Sequence, residues 1–161
     1  MGVGMPGRIW FVRTKGIWAM LYRLFHFTTW DTVAIELEKD TVYYVHPKTK
    51  VIKTSSNLFS DDIELCVFIN VSIINKRTIH NFLESQLGKP YDWCSFFYLP
   101  VVFRSDIRKR WGSADLIAEA LQLGLPRFSF THDYPTPSEL WVDIHLHESK
   151  EPSTLNIEEP S

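Results

Sequence analysis

The chain has 161 residues, of which 45% are hydrophobic and 22% are charged, and its formal net charge is -2. This length fits one domain with a real core, and the composition is that of an ordinary globular protein. The nearly balanced charge gives no electrostatic case for nucleic-acid binding. Two cysteines, Cys66 and Cys94, are too few for a disulfide framework or a metal motif, so we expect synthesis in a reducing cytoplasm.

The start of the sequence lacks the pattern of a signal peptide. The apolar stretch 17–27 is interrupted by Arg23 and is too short to span a bilayer. Every formal charge from residue 1 to 30 is positive, and a second basic cluster follows later at Arg104, Arg108, Lys109 and Arg110. We interpret both runs as solvated faces, with a surface for a polyanion as the alternative.

The first half of the chain predicts mostly strands. A helix is expected over residues 17–25, where apolar side chains recur at helical spacing. Residues 63–69 (IELCVFI) are apolar apart from Glu64 and predict a buried strand, with Cys66 in the core. Four further strands are predicted, at residues 7–13, 32–37, 41–45 and 51–53.

The second half predicts helices. Asn75 caps one that Gly88 ends, and a second runs from Ser113 to Gly124. Thr136 opens a capping box with proline next to it, which predicts a short helix through Trp141. Residues 148–161 are polar, and we expect a tail that is disordered unless it docks on a partner. The order indicates one α+β domain over residues 1–147, an antiparallel sheet packed against helices.

Four stretches occur in an order that is informative as a set. They are residues 6–11 (PGRIWF) with a helix and then 30–35 (WDTVAI), 88–93 (GKPYDW), 111–121 (WGSADLIAEAL) and 134–140 (YPTPSEL). Together they resemble the circularly permuted NlpC/P60 (papain-like) superfamily, which includes the YiiX-like and lecithin-retinol acyltransferase-like proteins. The resemblance runs from about residue 6 to residue 141 and implies a permuted papain-like fold.

The same resemblance implies where catalysis should occur. The family's cysteine nucleophile falls on Ser113, its base histidine falls on Thr32, and its third polar group comes from the region of His46. A serine without a base is a poor nucleophile, and threonine cannot accept a proton near neutral pH. We therefore interpret the protein as a pseudoenzyme, with Ser113 as a helix N-cap and Thr32 as a strand residue. His46 is the best substitute base, although a strand-end histidine without a catalytic role is the simpler interpretation.

Other residues leave alternatives open. Cys94 follows Tyr91-Asp92-Trp93 and is either a second candidate nucleophile or a buried structural thiol. His145 and His147 lack a third ligand at suitable spacing, so we expect no metal site and no cofactor. The aromatic residues in the motifs are candidate ligand-binding residues: Trp30, Tyr91, Trp93 and Trp111.

Three functions follow from these observations. The first is a non-catalytic structural or binding protein with protein partners in a larger assembly. Small members of this group are frequent in bacteriophage genomes, so the resemblance implies a virion or tail-associated component, with a cell-wall or lipid ligand as a further alternative. The second is an active hydrolase or acyltransferase on peptidoglycan peptides or lipid esters that uses Ser113 or Cys94. The third is a polyanion-binding protein, although we do not expect nucleic acid as a partner.

Overall fold

The computed structural model describes residues 5–46, 50–55, 63–93, 110–125, 128 and 135–150. Within these residues the chain forms five strands and four helices around one antiparallel sheet, with strand order β4-β3-β2-β1-β5. The predicted α+β architecture is confirmed. The strands are β1 (Met5–Thr14), β2 (Thr32–Glu38), β3 (Thr41–Val45), β4 (Val51–Ser55) and β5 (Ile63–Ile73); the helices are α1 (Ile17–His26), α2 (Lys76–Gln86), α3 (Ser113–Gly124) and α4 (Pro137–Lys150).

The core lies between the sheet and the helices α2, α3 and α4. On β1, Ile9 and Phe11 are fully buried because alternate residues of a strand share one face. β2 lies at the centre of the sheet, and every residue from Thr32 to Leu37 is buried. Leu116, Ile117 and Leu121 of α3 pack into the same cluster, so α3 lies directly against the central strands.

β5 corrects two expectations. The strand is real and runs from Ile63 to Ile73, but its burial alternates, and Leu65, Cys66 and Phe68 are exposed. The prediction of a buried strand with Cys66 in the core was therefore wrong. The physical reason is topological: among the described strands β5 pairs only with β1, so it lies at an edge and one of its faces meets solvent.

The helix ends show which local signals were reliable. The Asn75 side chain accepts a hydrogen bond from the backbone N–H of Thr78 at 3.2 Å, and Gly88 has a φ of 82° just after α2, as predicted. The backbone N–H of Thr136 donates to the Glu139 carboxylate at 2.6 Å, and the N–H of Glu139 donates to the Thr136 hydroxyl at 3.3 Å. This reciprocal pair confirms the predicted capping box.

α4 is longer than its signals indicated. It runs to Lys150, whereas a short helix through Trp141 was expected, and it includes Glu148, where the tail was expected to begin. The cause is a buried stripe, because Leu140 and Ile144 lie four residues apart and both are fully buried against the core. Tertiary packing therefore continues a helix that the sequence marked only at its start. The remainder of the predicted tail, residues 151–161, lies outside the described residues.

Two contacts tie the helices closely to the rest of the fold. A Cβ added to Gly124 of α3 would lie 2.1 Å from Cδ1 of Ile79 on α2, so the Ile79 side chain would have to shift to admit a methyl group between the two helices. The Tyr43 hydroxyl on β3 donates to Glu84 of α2 at 2.6 Å, and Lys53 of β4 donates to the same carboxylate at 2.7 Å. Burial and then the bond to Glu84 raise the pKa of Tyr43 to about 12, while Lys53 and Tyr43 lower the pKa of Glu84.

Candidate functional site

Ser113 lies at the N-terminus of α3, against the start of β2. Its Oγ accepts a hydrogen bond from the backbone N–H of Val33 at 3.3 Å and donates to the carbonyl of Asp31 at 3.4 Å. The N-cap of α3 is Gly112, and no side chain caps the helix, so the interpretation of Ser113 as the N-cap was wrong. The hydroxyl is directed towards the strand backbone instead of towards the free amides of its own helix.

Thr32 is the residue between the two partners of Ser113, so the structure brings together the two positions that the family motifs assign to catalysis. Both side chains are buried, with 6% of Ser113 and 2% of Thr32 exposed. The Thr32 hydroxyl donates to the Asp31 carboxylate at 3.1 Å. The pair therefore consists of two neutral hydroxyl groups, neither of which can act as a base near neutral pH.

His46 follows directly after β3. Its backbone N–H donates to the carbonyl of Lys50 at 3.0 Å, and its ring lies 6.3 Å from that of Tyr44. Within the described part of the chain, both hydrogen bonds of the Ser113 hydroxyl go to the β2 backbone, and neither goes to His46. The structure therefore places His46 at the end of β3.

A buried ion pair beside Ser113 was not anticipated from the sequence. The Asp31 carboxylate accepts from the Arg23 guanidinium, from the Thr14 hydroxyl at 2.7 Å and from the Thr14 backbone N–H at 3.0 Å. The side chains of Arg23 and Asp31 are only 13% and 4% exposed, and Arg23 also donates to the Thr14 carbonyl at 2.9 Å. This network joins the end of β1, helix α1 and the start of β2. Its sequence signal was an arginine inside an apolar helix, followed by the first acidic residue of the chain.

A cavity of about 280 Å³ adjoins this network. Asp31 and Thr14 form part of its wall, and Trp18, Tyr22 and Trp93 contribute aromatic surface. The rings of Trp18 and Trp93 are 6.5 Å apart and meet edge to face. Asp31 connects the two features, because it lines the cavity and its carbonyl accepts from Ser113, although Ser113 and Thr32 themselves do not line the cavity.

The two later motifs also meet in space. Tyr91 pairs with Trp111 in a parallel bridge, and the backbone N–H groups of Asp92 and Trp111 donate across it at 3.1 Å each. Tyr91 is buried, and this burial, followed by the carboxylates of Asp115, Asp92 and Asp31, raises its pKa well above the ordinary value. Tyr91 is therefore a neutral phenol that packs in the core.

Of the four aromatic residues predicted to bind a ligand, Trp93 is the one that lines the cavity. Trp30 is partly buried and packs 6.1 Å from Trp141. The indole of Trp111 donates to Gln86 at 3.0 Å. These contacts give Trp30 and Trp111 a place in the packing of α2 and α4.

The remaining predicted residues are the histidines of α4, the basic cluster and Cys94. His145 lies on α4, where its Nδ1 donates to the carbonyl of Trp141 at 2.9 Å. Among the described residues no group of three or more His, Cys, Asp or Glu side chains could hold a metal ion. Arg110 is exposed. Cys94, Arg104, Arg108 and Lys109 lie outside the described residues.

Comparison with known proteins identifies the fold. No family model matches the chain, and no curated protein matches it in sequence. Among solved structures it is similar to the metalloprotein yiiX (DUF1105) from Escherichia coli O157:H7, with a TM-score of 0.53 and 14% sequence identity. The likeness covers 77% of this chain and 68% of that one. At this identity it shows the fold alone, and it confirms the permuted papain-like fold that the sequence motifs implied.

Proposed function

We propose that this protein is a non-catalytic binding or structural protein, a pseudoenzyme on the permuted papain-like scaffold. The observation that carries the proposal is the position of the Ser113 hydroxyl, which is hydrogen-bonded to the backbone of Asp31 and Val33 on the two sides of Thr32. An active serine nucleophile needs a base within about 3.2 Å to take its proton. Here the proton points to the carbonyl of Asp31, which is not a base at neutral pH.

The nearby carboxylate does not replace the missing histidine. Asp31 already accepts from Arg23, Thr14 and Thr32, so its oxygens hold α1 and β1 in place. The dipole of α3 could stabilise a thiolate at residue 113, but a serine hydroxyl has a pKa far outside the range in which a helix dipole produces an anion. Among the described residues, the scaffold therefore keeps the position of the nucleophile without a group that would activate it.

The wider role is proposed from the resemblance. Small members of this group are frequent in bacteriophage genomes, so we place the protein in a larger assembly as a virion or tail-associated component. The yiiX protein is described as a metalloprotein. The described residues of this chain do not offer a set of three ligands, so the proposal includes no metal.

The proposal is tested with the full chain and four variants. Wild type, Ser113→Ala, Thr32→His, Cys94→Ala and the double variant Thr32→His/Ser113→Cys are treated with a fluorophosphonate probe and with p-nitrophenyl acetate. We expect no probe label and no ester hydrolysis above background in wild type, Ser113→Ala and Cys94→Ala. The double variant restores the family pair at the observed positions and should release a burst of nitrophenol, which shows that the assay detects a working site.

Two results would contradict the proposal. Labelling of wild type that Ser113→Ala removes would show an active serine hydrolase at this site. Turnover that only Cys94→Ala removes would show a cysteine hydrolase that uses the thiol after Trp93. Either result would show that the protein is an active hydrolase or acyltransferase and not a pseudoenzyme.

A further inference from the structure

Helix α1 turns its two basic side chains towards the protein and most of its apolar side chains towards solvent. Its polar side chains face the protein: Arg23 pairs with Asp31, and His26 is buried and stacks on Tyr22 with 4.2 Å between the rings. Five of its large apolar side chains face solvent, with exposed fractions between 49% and 65%, whereas Leu21 and Tyr22 are partly buried and pack against the core. These exposed side chains are Ile17, Trp18, Met20, Leu24 and Phe25.

The exposed side chains lie on one half of the helix surface. At about 100° per residue Leu21 falls on the same half but is partly buried against the core, and Ala19, Tyr22, Arg23 and His26 occupy the other half. With Phe27 and Trp93, which extend this face, the exposed apolar surface is on the order of 500 Å². A patch of this area is large for a monomer and typical of an interaction site. A helix normally buries such a face, whereas the described residues of this chain leave these side chains of α1 exposed.

Phe27 extends the face beyond the end of α1. It has a φ of 48° and a ψ of 41°, and 93% of the residue is exposed. The left-handed region disfavours a bulky residue, and glycine or asparagine would be more stable at this C-cap position. A phenylalanine in this strained and exposed position does not stabilise the isolated fold, which indicates that its side chain contacts another molecule.

The charges around α1 identify the kind of surface that it fits. The chain contains no acidic residue before Asp31, and α1 itself contains none. Asp31 and Glu64 are held by Arg23 and Arg13, whereas Lys15 is exposed and makes no ion pair within the described residues. The apolar face is therefore flanked by net positive charge. That combination complements a surface with anionic headgroups above an apolar interior.

We propose that the outer face of α1, together with Phe27 and Trp93, binds an anionic lipid bilayer as an amphipathic helix that lies parallel to the membrane. Ten residues give a helix of about 15 Å, which can lie on a bilayer but cannot cross its core of about 30 Å. No helix among the described residues is long and apolar enough to cross a membrane. Trp18 and Trp93 suit the interface because an indole ring combines an apolar body with a polar N–H. This inference does not depend on whether Ser113 is catalytic.

The test is flotation of the full chain with lipid vesicles at about 0.1 M salt. One set of vesicles contains phosphatidylcholine alone, and the other contains about one-third phosphatidylglycerol. The main variant is Leu24→Gln/Phe27→Asn, in which asparagine suits the left-handed position, so the fold should not be weakened there. The matched control is Leu123→Gln, which removes an apolar side chain of 42% exposure from α3.

We expect wild type and Leu123→Gln to float with the anionic vesicles and less with neutral ones, and the double variant to bind at least about tenfold more weakly. Lys15→Gln should weaken binding to the anionic vesicles by about fivefold. The inference is overturned if wild type stays in solution with anionic vesicles, or if the double variant floats as wild type does. A dimer in sedimentation equilibrium that the double variant abolishes, without vesicle binding, would assign the face to a second copy and also overturn it.

Discussion

The Arg23–Asp31 ion pair holds α1 and β2 together, and its removal gives a quantitative test of the structure. In Arg23→Met the Asp31 carboxylate stays buried, with 4% of its side chain exposed, and keeps only hydroxyl and amide donors. Removal of one partner of a buried pair costs about 3–5 kcal/mol, and the remaining donors place this variant near the lower end, at about 3 kcal/mol. In Asp31→Asn the Arg23 side chain is 13% exposed and reaches some water, so we expect the free energy of unfolding to fall by about 2–3 kcal/mol.

The double variant Arg23→Met/Asp31→Asn leaves no buried charge at this position. We expect it to cost about 3 kcal/mol in total, so the two single losses should exceed the double loss by about 2–3 kcal/mol. Urea unfolding followed by circular dichroism measures all three free energies from the midpoint and slope. Arg13→Met is the control, because the Arg13–Glu64 pair is 40% and 47% exposed and should contribute less than about 1 kcal/mol. Additive single losses, or a cost for Arg23→Met no larger than that of the control, would refute the buried pair.

Three further predictions concern packing, ionisation and capping. In Gly124→Ala the new methyl group would lie 2.1 Å from Ile79 Cδ1, and overpacking of about 1–3 kcal/mol should exceed the helix-propensity gain of about 1 kcal/mol. Urea unfolding should show that loss, and it should shrink when Ile79→Ala is combined with it. The pKa of Tyr43 in the folded state is about 12, above the unfolded value of about 10, so its contribution to stability should be full below pH 10 and be lost as the pH rises to 12. Phenolate absorbance should show late-ionising tyrosines, and Tyr43→Phe should remove one of them while Tyr91 still ionises late; ionisation of every tyrosine near pH 10 would contradict this. Thr136→Ala removes one hydrogen bond of the capping box and should lower the free energy of unfolding by about 1 kcal/mol in thermal unfolding, whereas an unchanged value would show that Glu139 alone suffices.

The sequence predicted those parts of the fold that short-range physics controls. The cap at Asn75, the left-handed Gly88 and the capping box at Thr136 depend on residues within one helical turn, and all three are present. The pairing of Ser113 with the start of β2 was also accessible, but through the order of four motifs that resemble a known superfamily, because residues 80 positions apart leave no local signal. The partners of the Ser113 hydroxyl were not accessible, and the assignment of Ser113 as a cap failed for that reason.

The amino-acid sequence by itself therefore determined the α+β class and the approximate positions of the strands and helices. Only the tertiary structure decided which surfaces are covered. Cys66 is exposed because β5 lies at the edge of the sheet, and α4 continues past Trp141 because Leu140 and Ile144 meet the core. α1 has a strongly amphipathic sequence that predicts a helix, but periodicity alone does not determine which face of the helix packs against the protein. The buried pair of Arg23 with Asp31 fixes that choice, since an ion pair that joins three elements holds the polar face against the sheet and leaves the apolar face in solvent.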